Sequence, residues 1–210
     1  IKSFLGQPSV ETAHIGYYLA FINNFDFIQH GLPDSSILGV LWSVAIEEQF
    51  YLVWPVILGF LPIKNYWIAF VTIILSSWIF RFYYPTSIML EHHTLSCIGD
   101  MAIGATGAWF YSEKPQFKQF IDNLKKPIIA VIYLLFFILF FFRKDLMFSN
   151  SIILIFERSI LAVLILFIIL EQNFAINSIY KLGRLKLLSE LGKITYGRSE
   201  EHTSELQSQR

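Results

Sequence analysis

Glu47 and Glu48 stand side by side in "LWSVAIEEQF" (41–50), at the head of a strongly apolar run. A carboxylate in a partly dry cavity can accept a proton or hold a ligand by hydrogen bonds. In lipid the same group is a liability, costing about 2.5–3.5 kcal/mol at the centre of a span on insertion scales. On a helix Ser43, Glu47, Phe50 and Trp54 share one face, while Glu48 points about 100° away with Val44 and Tyr51 or Leu52. The two acids therefore cannot both meet the same lipid, and at least one requires a protein partner or a water-filled cavity. Pro55 has no N–H to give and frees the Tyr51 carbonyl, which predicts a kink below the pair. Two readings stay open from physics alone. One is an interfacial helix end, with Trp42, Tyr51 and Trp54 as an aromatic belt and the acids in water; the other is a working site.

Other ionisable residues fall where apolar segments should exclude them. Glu157 and Arg158 lie within "SIILIFERSILAVLILFIIL", adjacent and so on different faces, which predicts separate partners in other helices. Function and structural glue weigh equally there. Asp100 sits in "CIGDMAIGATGA", where Gly104 and Ala108 stand in small-xxx-small relation and predict close helix packing; a buried Asp in such a contact must be hydrogen-bonded or protonated and can line a cavity. Arg81, near a helix end, is explained by snorkelling. His92 and His93 beside Glu91 suggest a metal, but adjacent ligands at a helix start converge poorly and no further ligand has recognisable spacing, so no metal site is expected. The single cysteine, Cys97, excludes an internal disulfide and reads as a small apolar filler.

These residues must be positioned by membrane helices. The 210-residue chain is 55% hydrophobic and 17% aromatic, with 15% charged residues and mean hydropathy +0.54, far from soluble usage. Net charge is zero and no basic tract occurs, which argues against nucleic acid. Apolar segments at about 12–28, 41–61, 66–84, 94–111, 127–142 and 151–170 predict an all-α polytopic membrane bundle of five to six transmembrane helices. Nine basic residues (Lys2, Lys64, Lys114, Lys118, Lys125, Lys126, Lys181, Arg184, Lys186) fall on one side and two (Arg143, Lys144) on the other. The Lys2 side and the 112–126 loop are thus expected to be cytoplasmic and the acidic pair to lie near the outer end of its span. No nucleophile elbow, P-loop or dinucleotide fingerprint appears.

The stretch "LWSVAIEEQFYLVWPVIL" resembles the signature of the acyltransferase-3 family of membrane acyltransferases, which typically reads W-S-L-A-V-E-E-Q-F-Y-L-x-W-P. "HTLSCIGDMAIGATGAW" resembles the family's later small-residue helix, here with Asp100, Gly104 and Ala105, and "LGKITYG" resembles the start of a late span. The resemblance implies a multi-span plasma-membrane (inner-membrane) enzyme without a bound cofactor. Acyl-CoA is its donor substrate, and the acyl group, usually acetyl, passes to a hydroxyl of a cell-envelope carbohydrate or lipid-linked glycan. It implies acceptor-side roles for Glu47, Glu48 and Ser43, with Trp42, Tyr51, Asp100, Glu157 and Arg158 as substrate-binding candidates. The family's first-span histidine base, its arginine and its R-x-x-R segment have no counterpart, and His14 matches no family motif. Residues 1–197 are therefore expected to be an internal, inactive part of such a domain. The polar stretch from Arg198 to Arg210 resembles a translated sequencing adapter, which leaves His202 no catalytic standing. The alternative function is a transporter or flippase for an envelope precursor, with Glu157 and Arg158 as gating charges; no inverted repeat supports it.

Overall fold

The computed structural model describes residues 13–33, 35–142, 151–182 and 185. Among these, all regular structure is helical. In chain order the helices are α1 (Ile15–Leu19), α2 (Asn23–His30), α3 (Ser36–Gly39), α4 (Leu41–Gly59), α5 (Tyr66–Tyr83), α6 (Ser87–His92), α7 (Thr94–Glu113), α8 (Pro115–Asp122), α9 (Lys126–Phe141) and α10 (Ser151–Phe174), with a 3-10 turn at Ile63–Asn65. "LGKITYG", the 198–210 tail, Lys2, Arg143, Lys144, Arg184 and Lys186 lie outside the described residues.

Among the described residues, three segments are long and apolar enough to cross a membrane: Ile37–Gly59, Ile63–Tyr83 and Ile153–Phe174. A fourth follows if α8 and α9, bent by 89° at their junction, count as one broken span. Large apolar side chains cover the outside, Phe60 at 86% and Phe141 at 73% exposure among them, as lipid rather than water would favour. The described residues thus form an all-helical fold whose helices suit a membrane.

The central helix is α7, which packs against α4, α5, α6, α8 and α10. Small residues make this possible, though not those expected. A Cβ on Gly99 would lie 2.9 Å from Ser77 Cβ and Oγ on α5, and one on Gly107 would lie 2.4 Å from Leu166 Cδ1 on α10. These are the close approaches that bare backbone permits. Gly104 meets nothing within 4 Å and instead lines a cavity. The polar and small residues that bury α7 also lower its hydropathy, and it is not among the three apolar candidates.

Two further expectations are corrected. The 12–28 segment is not one helix: it reverses at Ala20–Ile22, where Phe21 takes φ +53°, and folds α1 back along α2. His14 and His30 end with ring centroids 4.5 Å apart, on the same side, where a straight span would have separated them. The 112–126 stretch is not a loop but carries α8, which buries Ile121 in a cluster with Leu124, Ile129, Leu170 and Ala175 while Gln116, Lys118 and Gln119 face outward. Helix α4 itself is unbroken and carries Pro55 in its interior.

Candidate functional site

The acidic pair sits in the second turn of α4 with its two members differently placed: Glu47 is exposed and Glu48 half-buried. Neither forms a side-chain hydrogen bond or ion pair with a described residue. Ser43, one turn before Glu47, donates to the Val40 carbonyl at 3.1 Å. Below Glu47 on the same stripe Phe50 stacks on Trp54 (4.6 Å between centroids), and Trp54 stacks on Phe70 (5.4 Å). That ladder fixes the stripe against α5 and leaves the carboxylate at its outer end. Tyr51, 62% exposed, faces away from the bundle, and Trp42 packs on the His92 ring at 4.8 Å.

Gln49, the next residue of the motif, is the anchor. Its Nε2 donates to the Phe21 carbonyl (2.7 Å) and to Asn24 Oδ1 (2.9 Å), while its Oε1 accepts from Thr94 Oγ1 (2.6 Å). Asn24 Nδ2 closes the seam by donating to Thr94 Oγ1 (3.0 Å) and the His92 carbonyl (3.1 Å). Two stretches singled out in the sequence, 41–58 and 93–109, therefore touch through Gln49 and Thr94. A buried polar network of this kind costs little only when every member is satisfied, and it fixes register between α2, α4 and α7.

A second polar centre lies between α5, α7 and α10. Arg81 is 2% exposed, so it does not snorkel. Its guanidinium donates to the carbonyls of Ile155 (3.0 Å) and Leu90 (3.3 Å), to that of Leu154, and to Ser96 Oγ (2.7 Å). A planar fork of five donors suits this convergence of carbonyls, and the bonds replace the water that burial removes. Nearby, Arg158 binds Asp100 through Nε (2.8 Å) and Nη2 (2.7 Å), each side chain about a quarter exposed. The pair opens on a cavity of about 410 Å³ lined by Gly104, Leu161, Ala162, Ile165, Leu166 and Ile169. Glu157 is buried on another face of α10. Asp100 and Arg158 are thus brought together, whereas Trp42 and Tyr51 belong to the α4 end.

The histidines separate as well. His92 lies against Trp42 and Phe27, whereas His93 stacks on Phe80 at 4.2 Å and accepts the Leu95 N–H at its Nδ1. Burial holds the His93 imidazole below its ordinary range. Cys97 is buried, its thiol on the Glu91 carbonyl.

Two clusters escaped the sequence reading. Glu171, 1% exposed, accepts from Tyr133 Oη (3.1 Å), Gln172 Nε2 (2.8 Å) and Ser178 Oγ, beside a cavity of about 240 Å³. Near the amino-terminal end of the described chain, Asp26 is 2% exposed and accepts at Oδ1 from both His14 Nδ1 and His30 Nδ1 (2.8 Å each), and at Oδ2 from the His14 backbone N–H (3.0 Å). Burial raises the Asp26 carboxyl, but the His14 N–H and the two imidazoles outweigh it and leave the group below its ordinary range. The i, i+4 spacing of Asp26 and His30 was visible in the sequence; the approach of His14 was not.

Comparison with protein-family models, curated proteins and solved structures finds no match to this chain.

Proposed function

We propose that this chain belongs to a membrane O-acyltransferase that moves an acyl group, most simply acetyl, from acyl-CoA to a hydroxyl of a cell-envelope carbohydrate or lipid-linked glycan. The observation that carries the reading is the division of labour in "EEQF". Gln49 is consumed by the seam with Asn24 and Thr94, while Glu47 and Glu48, in the second turn of α4, are left without a described partner. Carboxylates with no hydrogen-bond or ion-pair partner among the described residues, on a helix locked in register by their neighbour, suit a hydroxyl-bearing acceptor. In this reading Ser43 and Trp42 border the acceptor, with Glu47 and Glu48 beside it. The contact between the 41–58 and 93–109 stretches adds support, since both resemble the same family.

The same proposal takes α7 as a further span, giving five when α8 and α9 count as one, in a plasma membrane. Lys64, Lys114, Lys118, Lys125, Lys126 and Lys181 flank the helix ends joined by the Trp109–Ile63 and Ile176–Asp122 hydrogen bonds, and a single basic end is what a cytoplasmic face requires. The Asp100–Arg158 pair at its cavity also suits a transporter, so the experiment must separate the two. Proteoliposomes carrying the full-length protein are given labelled acetyl-CoA on the basic side and envelope glycan on the other. Covalent acetyl on the glycan supports the enzyme. Glycan translocation without covalent label supports the transporter and overturns the enzyme.

A further inference from the structure

The cluster at the α1–α2 reversal stands apart from that reading. We propose that His14, Asp26 and His30 form a three-ligand site for a divalent first-row transition ion of the zinc type. Their ligand atoms all lie within 4.8 Å of one another, the one such group among the described residues. Two imidazole nitrogens and a carboxylate oxygen are borderline donors. They suit zinc and its neighbours, whereas calcium and magnesium prefer shells of oxygen.

The geometry is close to what an ion needs. A tetrahedral ion with bonds of about 2.0–2.1 Å holds its ligands roughly 3.3 Å apart, so the two 2.8 Å contacts need open only slightly. Without an ion, Asp26 Oδ1 is shared by two N–H groups; with one, each imidazole carries its proton on Nε2 instead. Both rings are half-exposed, at 53% and 42%, which leaves that proton in water and coordination positions open. Asp26 Oδ2 is meanwhile held by the His14 backbone N–H, the kind of outer bond that aims a carboxylate.

The scaffold is built for the convergence. Asp26 and His30 share a face of α2 at i, i+4, and Tyr17 Oη donates to Gln29 Oε1 (3.0 Å) to tie α1 to α2. The reversal passes through Phe21 in the left-handed region, which L side chains rarely adopt, and Gln49 clamps its carbonyl.

The test uses the full chain in detergent micelles, stripped of metal and titrated with Zn²⁺ by equilibrium dialysis, then with Co²⁺ for its visible spectrum. One tightly bound equivalent and a tetrahedral or five-coordinate Co²⁺ spectrum are expected. Binding should weaken by at least about tenfold in H14N, H30N and D26N, and be unchanged in H92N, H93N and H202A. Zn²⁺ should also raise the Tm of the wild-type chain, a readout that does not depend on any variant folding. Failure of the wild type to bind, an octahedral Co²⁺ spectrum, or binding unaltered in folded H14N and H30N would overturn the site.

Discussion

Glu47, Glu48 and Gln49 are consecutive, yet they meet three different surroundings, and the differences assign their roles. Gln49 supports structure. Q49A removes three hydrogen bonds and leaves Asn24 and Thr94 partly unsatisfied, so unfolding should become easier by about 1–3 kcal/mol, read as a lower Tm in micelles. His93 sets a pH dependence. Its folded imidazole is depressed by burial, so below the ordinary value of 6.5 the unfolded chain binds more protons than the folded one. Stability is therefore full above that value and falls as pH drops beneath it. H93Q should melt lower at pH 7.5, having lost its stack on Phe80, but should lose less Tm than the wild type between pH 7.5 and 5. A steeper fall in H93Q would contradict this. At this scale the sequence was partly legible. Helical spacing separated the faces of Glu47 and Glu48 and gave Arg158 a partner on another helix. Arg81 was misread because nearness to a helix end does not reveal that four acceptors from α6, α7 and α10 surround it.

Among elements, α7 decides the packing, and its glycines should behave unequally. G99A places a methyl against Ser77 Cβ, which is fixed to the α5 backbone and cannot yield, and should cost about 1–3 kcal/mol. G107A presses on Leu166 Cγ and both its methyls, a side chain that can swing aside as a whole about its Cα–Cβ bond, and should cost less. G104A faces open space and should stay within about 0.5 kcal/mol of wild type. Equal losses at all three would contradict the packing described. The Asp100–Arg158 pair gives a second check. Each single change, D100L or R158L, strands a charge between helices, whereas the double change removes both. The double variant should melt closer to wild type than either single, with a coupling of about 0.5–3 kcal/mol. Helix positions were legible because apolar runs are long. The break at Ala20–Ile22 was not, because it contains neither proline nor glycine and is enforced from a distance by Gln49. Helix α8 was hidden by Lys118 and the flanking Lys114, Lys125 and Lys126, which satisfied a loop reading while Ile121 anchored it.

For the whole molecule, composition foretold an all-helical protein with an apolar exterior, because the demand that backbone groups be satisfied in lipid leaves few alternatives. Which helices are central was beyond that reading, since α7 owes its place to small and polar residues that lower the very hydropathy by which spans are recognised. Neither could spacing alone bring together His14, Asp26 and His30, which converge only through a reversal of direction. The functional account rests on the two acids left over when the seam is complete. It is tested most directly by transfer of labelled acetyl from acetyl-CoA to envelope glycan, in the full-length protein, for E47Q, E48Q and wild type at matched protein level and Tm. The account predicts that at least one glutamine variant loses about tenfold or more of the transfer rate while its Tm is unchanged. Wild-type rates in both variants would contradict it.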